Sequence, residues 1–263
     1  MSRIVAITGG SSGIGLAAAR LFCAAGDTVY ILSRRAPEEV LPAGMAHLTA
    51  DVTDEAALAA VFHQIKETHG HLDLLVANAG YGISGAVETT GLIDAKRQFD
   101  VNFFGVFSTV QHTLPLLRGT KNARIILVSS VAARFSVPFQ AFYSATKSAL
   151  NSLAAALGAE LHPHGIKVTA VMPGDVRTGF TAAREKKPAD SLYPRQEASL
   201  DRMERDEQNG LSPEMVARRI VKVSLRRRPP ALVTVGWSYR LLIGVSRLLP
   251  KRLELFIIRN IYA

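Results

Sequence analysis

Cysteine is nearly absent from this chain: Cys23 stands alone among 263 residues. An internal disulfide and a cysteine metal cluster are therefore excluded, and a reducing, cytoplasmic setting is expected. The neighbours Leu21, Phe22 and Ala24 suit a small core residue better than a reactive thiol. The seven histidines share no metal-binding spacing, so no metal is expected. Two of them, His162 and His164, flank Pro163 at a helix end, where capping or solvation accounts for them. No apolar run reaches the roughly 18 to 20 residues that cross a bilayer. The opening MSRIVAITGG enters a strand-like run and meets glycines too early for a signal-peptide core. Repeats and low-complexity segments are also missing.

Acidic residues are scarce in one place only. From Arg226 to Ala263 there are eight Lys/Arg and a single acid, Glu254, whereas the remaining residues hold 23 bases and 21 acids. The net charge of +9 therefore belongs mostly to the tail. A nucleic-acid enzyme would carry its charge as a stripe on the fold with a recognisable binding module, and none is present.

With 48% hydrophobic and 20% charged residues, the chain can bury a full core as one α/β domain over 1–263. Strands are expected at Ile4–Thr8, Thr28–Ser33, Ala46–Ala50, Leu72–Ala77, Arg124–Ser129, Lys167–Val171 and Ala231–Val235. Helical patterns lie at Gly13–Ala25, Asp54–His69, Asp94–Leu117, Gln140–His162 and Pro213–Leu225, with Thr53 and Ser212 as caps. Most strands are continuous Val/Ile/Leu-rich runs, as expected where helices cover both faces of a sheet. The alternation predicts a Rossmann-type, doubly wound parallel sheet of about seven strands, with ligands outside the strands' carboxyl ends. Thr178–Leu211 is long, charged and poor in strand pattern. It reads either as a substrate lid or as a solvated helix hairpin.

TGGSSGIG (Thr8–Gly15) directly follows the first strand and opens the first helix. Its glycines Gly9, Gly13 and Gly15 permit a tight turn, close approach to a phosphate and tight helix–sheet packing. In YSATK, Tyr143 and Lys147 sit one helical turn apart. An ammonium beside a phenol lowers the phenol's pKa from about 10, which readies the tyrosine for proton transfer at a carbonyl or alcohol oxygen. In ILSRR, at the end of the second strand, Ser33 stands where an acid would exclude a 2′-phosphate, and Arg34 and Arg35 follow. This predicts NADP(H), with Arg34 as the main phosphate contact.

Taken in order, TGGSSGIG, DVT (Asp51–Thr53), NAG (Asn78–Gly80), FDVNFFG with Asn102, SS (Ser129–Ser130), YSATK and PGDVRT (Pro173–Thr178) resemble the short-chain dehydrogenase/reductase family. The resemblance runs from about Ile4 to Phe180, more weakly to Leu225. One departure is Ala77, where the family often has a first asparagine. The resemblance implies that Tyr143 is the general acid/base and that Lys147 lowers its pKa and holds the nicotinamide ribose. Ser130 would bond the substrate oxygen, and Asn102 would anchor a water in the proton relay. It further implies cofactor contacts from Ser11, Ser12 and Ile14, and from Asp51, Val52, Asn78, Ala79 and Gly80. Pro173, Gly174, Val176 and Thr178 complete that set.

The tail 237–263 puts Leu241, Leu242, Val245, Leu248 and Leu249 on one apolar face and Phe256, Ile257 and Ile261 on another, interrupted by basic residues. Such helices suit either the surface of an anionic membrane or packing on the body or a partner subunit at the substrate mouth. The expected function is an NADP(H)-dependent oxidoreductase that interconverts a carbonyl and a secondary alcohol on a lipophilic substrate such as a steroid, retinoid or keto-lipid. A 3-oxoacyl-thioester reductase and a non-catalytic NADP(H)-binding regulator are the alternatives. The family resemblance also implies a homo-oligomer.

Overall fold

A computed structural model describes residues 2–262; Met1 and Ala263, the outer bounds of the expected domain, lie outside the described residues. Its strands are β1 (Ile4–Thr8), β2 (Thr28–Ser33), β3 (Met45–Thr49), β4 (Leu74–Ala77), β5 (Ile83–Ser84), β6 (Arg124–Val128), β7 (Lys167–Pro173), β8 (Glu185–Lys186) and β9 (Leu232–Val235). Its helices are α1 (Gly13–Ala24), α2 (Glu55–His69), α3 (Leu92–Phe99), α4 (Gly105–Leu117), α5 (Ala141–Glu160), α6 (Phe180–Ala183), α7 (Gln196–Gln208), α8 (Pro213–Ser224), α9 (Trp237–Ser246) and α10 (Lys251–Tyr262).

Seven strands form one parallel sheet in the order β3-β2-β1-β4-β6-β7-β9. The chain steps outward from β1 to β3, then returns to β4 and steps the other way. The order therefore reverses between β1 and β4, which opens a crevice at their carboxyl ends. Alternate β1 residues show why the central strands lack a polar face. Ile4 and Ala6 join a core under α2, α4 and α5, while Val5 and Ile7 join a second core under α1 and α8.

The local differences from expectation have local causes. Asp54, rather than Thr53, caps α2, and its carboxylate accepts from Ala57 N at 3.0 Å. Ser212 caps α8 as expected, accepting from Met215 N. The expected Asp94–Leu117 helix starts earlier, at Leu92, and holds a π-turn over Asp100–Phe104. Cys23 is only partly buried, at the edge of its core, and its thiol donates to Ala43 O at 3.2 Å. Thr178–Leu211 is not strandless: β8 pairs with β5, and α6 and α7 flank it. No described helix is long and apolar enough to cross a membrane.

Phe22 is fully buried between α1 and the sheet, with the Arg3 guanidinium 5.3 Å from its ring centre. Phe22→Ala is expected to cost about 3–5 kcal/mol by denaturant titration. A loss under about 1 kcal/mol would mean that this core collapses around the cavity.

Candidate active site

The crevice becomes a site because backbone from β1 and β4 meets there with no side chain between. Gly9 has φ +64°, and a Cβ on it would lie 2.9 Å from Ala79 Cα. A Cβ on Gly15 would lie 2.3 Å from Gly9 O. Gly10, which the motif reading passed over, is pressed equally hard on β2: its Cβ would meet Ile31 Cβ at 2.6 Å. Polar bonds close the seam. Asn78 N and Ala79 N donate to Thr8 Oγ1 at 3.0 and 3.1 Å, and Asn78 Nδ2 donates to the Thr8 and Gly9 carbonyls. With Asn78 making these ties, Ala77 can stay buried in β4.

Ser12 is extended and makes no side-chain cap on α1. The first-turn N–H groups of α1 therefore face the crevice as anion donors. Thr178 closes from the far side, its Cγ2 3.3 Å from where a Gly13 Cβ would be. At the rim, Ser33 donates to Arg35 O at 2.8 Å. The exposed Arg34 and Arg35 have no carboxylate partner among the described residues. This cradle fits a dinucleotide: it combines backbone room for a pyrophosphate, free N–H donors and unpaired cations at the ribose end.

The side chains expected to carry the chemistry come from three elements. Asn102 is fully buried in the π-turn, a distortion that often marks functional positions. Its amide accepts from Tyr81 N at 2.9 Å and donates to Tyr81 O at 2.9 Å and Thr146 Oγ1 at 3.3 Å. These bonds fix the loop carrying Gly80. Ser130 caps the turn after β6, accepting from Ala132 N at 3.1 Å. The same hydroxyl lowers the pKa of the Tyr143 phenol. On α5, Lys147 Nζ donates to Val128 O at 2.9 Å and sits 5.7 Å from the Tyr143 ring centre.

The electrostatics differ from the simple pair expected. Burial pushes Tyr143 up to about 12, partly offset by its bond from Ser130; Glu207 and Asp175 push further up and Arg184 down. Burial also pulls Lys147 down to about 8. Desolvation therefore dominates the phenol, and the groups that ease its ionisation are Ser130 and Arg184 rather than the expected Lys147.

All these parts share one cavity of about 900 Å³. Every expected site residue lines it except Gly15, which packs beneath the loop, and Asn102, which lies behind Gly80. Sequence reading missed the far wall. Phe180 tilts against Tyr143 with ring centres 5.6 Å apart, and the buried Arg184 also lies against its ring. Arg184 pairs with Glu207 of α7. Tyr239 of α9 fills the space over Gly174 and donates to Asp175 Oδ2 at 2.5 Å. Arg134 reaches the tail twice, through Glu254 of α10 and Ser246 O at 3.4 Å. The inner face of the tail thus packs on its own fold, and Leu242, Leu249 and Ile258 line the cavity.

The sequence profile of the short chain dehydrogenase family matches residues 3–189. The chain belongs to that family. Among curated relatives, the 3-ketodihydrosphingosine reductase of Bacteroides thetaiotaomicron is 35% identical over 270 residues, covering 99% of this chain and 98% of the relative. A probable short-chain type dehydrogenase/reductase of Helicobacter pylori, VdlC, is 36% identical, covering 93% and 92%. The solved short-chain dehydrogenase from Streptomyces avermitilis superimposes with a TM-score of 0.86 at 28% identity, covering 99% of this chain and 97% of that one. As a short-chain dehydrogenase, this protein is an oxidoreductase of a family that binds nicotinamide cofactors.

The buried lysine has a pH signature. Lys147 titrates near 8 in the folded dehydrogenase and at 10.5 when unperturbed. Between those values the unfolded chain holds the proton and the native one does not, so stability rises with pH. Relative to Lys147→Met, the wild type is expected to gain stability between those two pH values, read as urea midpoints. A difference that stays flat across that window would contradict the buried, depressed lysine.

Proposed function

We propose that this dehydrogenase is an NADP(H)-dependent carbonyl reductase acting on a long-chain, lipophilic ketone. The observation that carries the reading is the Tyr143–Ser130–Lys147 set at one end of a cavity whose other end is apolar and roofed by the tail. When bound in the cradle, the cofactor would supply the hydride for the carbonyl carbon. Tyr143 gives the proton to the carbonyl oxygen, and Ser130 donates a hydrogen bond to the charge developing there. Lys147 holds the nicotinamide ribose and adds positive charge behind the phenol. Asn102 fixes the loop that carries Gly80, and Thr178, Pro173, Gly174 and Val176 border the nicotinamide. Ser11, Ser12, Gly13 and Ile14 cradle the pyrophosphate, and Asp51 and Val52 border the adenine.

Arg34, with Arg35 beside it, supports selection of a 2′-phosphate. That choice favours reduction in the cell. A keto-lipid agrees with the name of the Bacteroides relative and with the apolar side chains Phe135, Val137, Leu242, Leu249, Ile258 and Ile261 that line the cavity. The protein works as a cytoplasmic homo-oligomer with peripheral, not spanning, contact to a membrane.

A 3-oxoacyl-thioester reductase would use the same acid and donor, with the basic tail receiving an acidic carrier. A non-catalytic regulator would have no use for the Ser130–Tyr143–Lys147 arrangement.

The test is NADPH oxidation across long-chain 3-keto-lipids, retinal, ketosteroids and a 3-oxoacyl-thioester. Turnover is expected with the keto-lipids, falling about 10²–10⁴-fold in Tyr143→Phe. Binding of NADPH without turnover of any ketone would sink the enzyme reading, and a marked preference for the thioester would redirect it. Separately, Arg34→Ala is expected to raise the KM for NADPH roughly tenfold and leave that for NADH unchanged. Tighter NADH binding by the wild type would overturn the cofactor assignment.

A further inference from the structure

The two tail helices are apolar on both sides, although a helix that only roofs a cavity needs one apolar face. Their inner side packs against Asp175, Arg134 and α7. Their outer side leaves Trp237 79%, Leu248 86% and Phe256 53% exposed, with Leu241, Leu253 and Leu255 among them. Leu242, Val245 and Ile257 belong to both sides: they line the cavity and stay exposed. The apolar surface is therefore continuous from outside the molecule, across the rim, to the chamber holding Tyr143. A patch this large on a soluble chain marks an interaction site.

The unpaired charges on the two tail helices are of one sign. Arg240, Arg247, Arg252 and Arg259 are exposed and have no carboxylate partner among the described residues. Arg259 lies over the Phe256 ring at 5.4 Å, cation beside apolar surface. The tail's single acid, Glu254, is turned inward, 3% exposed, and held by Arg134 and Lys251. Among the described residues of α9 and α10, no acidic side chain therefore faces outward. A second copy docked through this patch about a two-fold axis would set arginines against arginines. An anionic lipid surface complements both the charge and the apolar side chains. Neither helix is long enough to span, so the contact lies in the plane of the interface.

We propose that the outer face of α9 and α10 docks on an anionic bilayer, and that the lipophilic ketone enters the cavity from the bilayer across the Leu242–Val245–Ile257 rim. The loading step rests on the keto-lipid reading; the docking does not.

Flotation of the full chain with phosphatidylcholine vesicles, with and without about a third phosphatidylglycerol, tests the docking. Binding to the anionic vesicles is expected to be at least about tenfold stronger and to be lost in high salt. The variant Trp237→Ser/Leu248→Ser/Phe256→Ser alters only exposed side chains outside the cavity. It is expected to lose vesicle binding and to drop about tenfold or more in kcat/KM for a ketone held in vesicles, while its rate on a short, water-soluble ketone stays within about twofold. No flotation of the wild type, or equal flotation of wild type and variant, would overturn the docking. A variant that dissociates an oligomer, with the wild type indifferent to vesicles, would assign the patch to a second copy instead. Lost flotation with unchanged turnover of the vesicle-held ketone would overturn the loading route. A protein that floats as expected yet reduces no ketone, short or long, would keep the docking and count against the reductase reading alone.

Discussion

The close approach of two backbone segments at the carboxyl ends of β1 and β4 is the constraint on which the rest depends. Gly9 and Gly15 leave no room for a Cβ, and the Thr8–Asn78 bonds hold the two turns together. From that seam α1 starts with its N–H groups pointed at the crevice. Gly80 follows the seam directly, and Asn102 and Lys147 pack behind it. A looser seam would leave the lysine and the phenol on the same helix without a fixed place for a cofactor between them. Parallel strand order makes the crevice, and the absence of side chains makes it deep enough to use.

Burial then decides the chemistry. In water Tyr143 and Lys147 would be an ordinary phenol and amine. In the cavity, desolvation moves both towards their neutral forms, the phenol up and the amine down. The neutral phenol is the form that can donate a proton to a carbonyl oxygen. Ser130 lowers the phenol's pKa, while Glu207, Asp175 and Arg184 set the field around it. The acid strength of Tyr143 is thus a property of four elements, not of the YSATK turn alone.

This explains what sequence could and could not reveal. β1 and β2 fall where their apolar runs place them, because a strand buried on both faces has no competing pattern. The glycine loop, NAG, Ser130, YSATK and PGDVRT are each local, and their strand order alone brings them together. The π-turn at Asn102 was hidden, since a helix with one extra residue keeps its apolar rhythm on either side. The contacts Arg184–Glu207, Tyr239–Asp175 and Arg134–Glu254 were equally hidden. They join polar and charged residues 23, 64 and 120 positions apart, and nothing in their spacing distinguishes them from solvated surface. For the same reason the tail read as either a membrane face or a packing face. In the structure its two sides differ: one packs and the other is exposed.

The central claim is that one cavity joins a proton donor to an apolar tunnel under the tail. A crystal structure of the protein with oxidised cofactor and a long-chain ketone tests it most directly. The ketone oxygen is expected within about 2.6–3.2 Å of Tyr143 Oη and Ser130 Oγ, with the chain running beneath α9 and α10 past Leu242 and Ile257. A ketone bound with its oxygen away from Tyr143, or a chain leaving the cavity on the side opposite the tail, would contradict it.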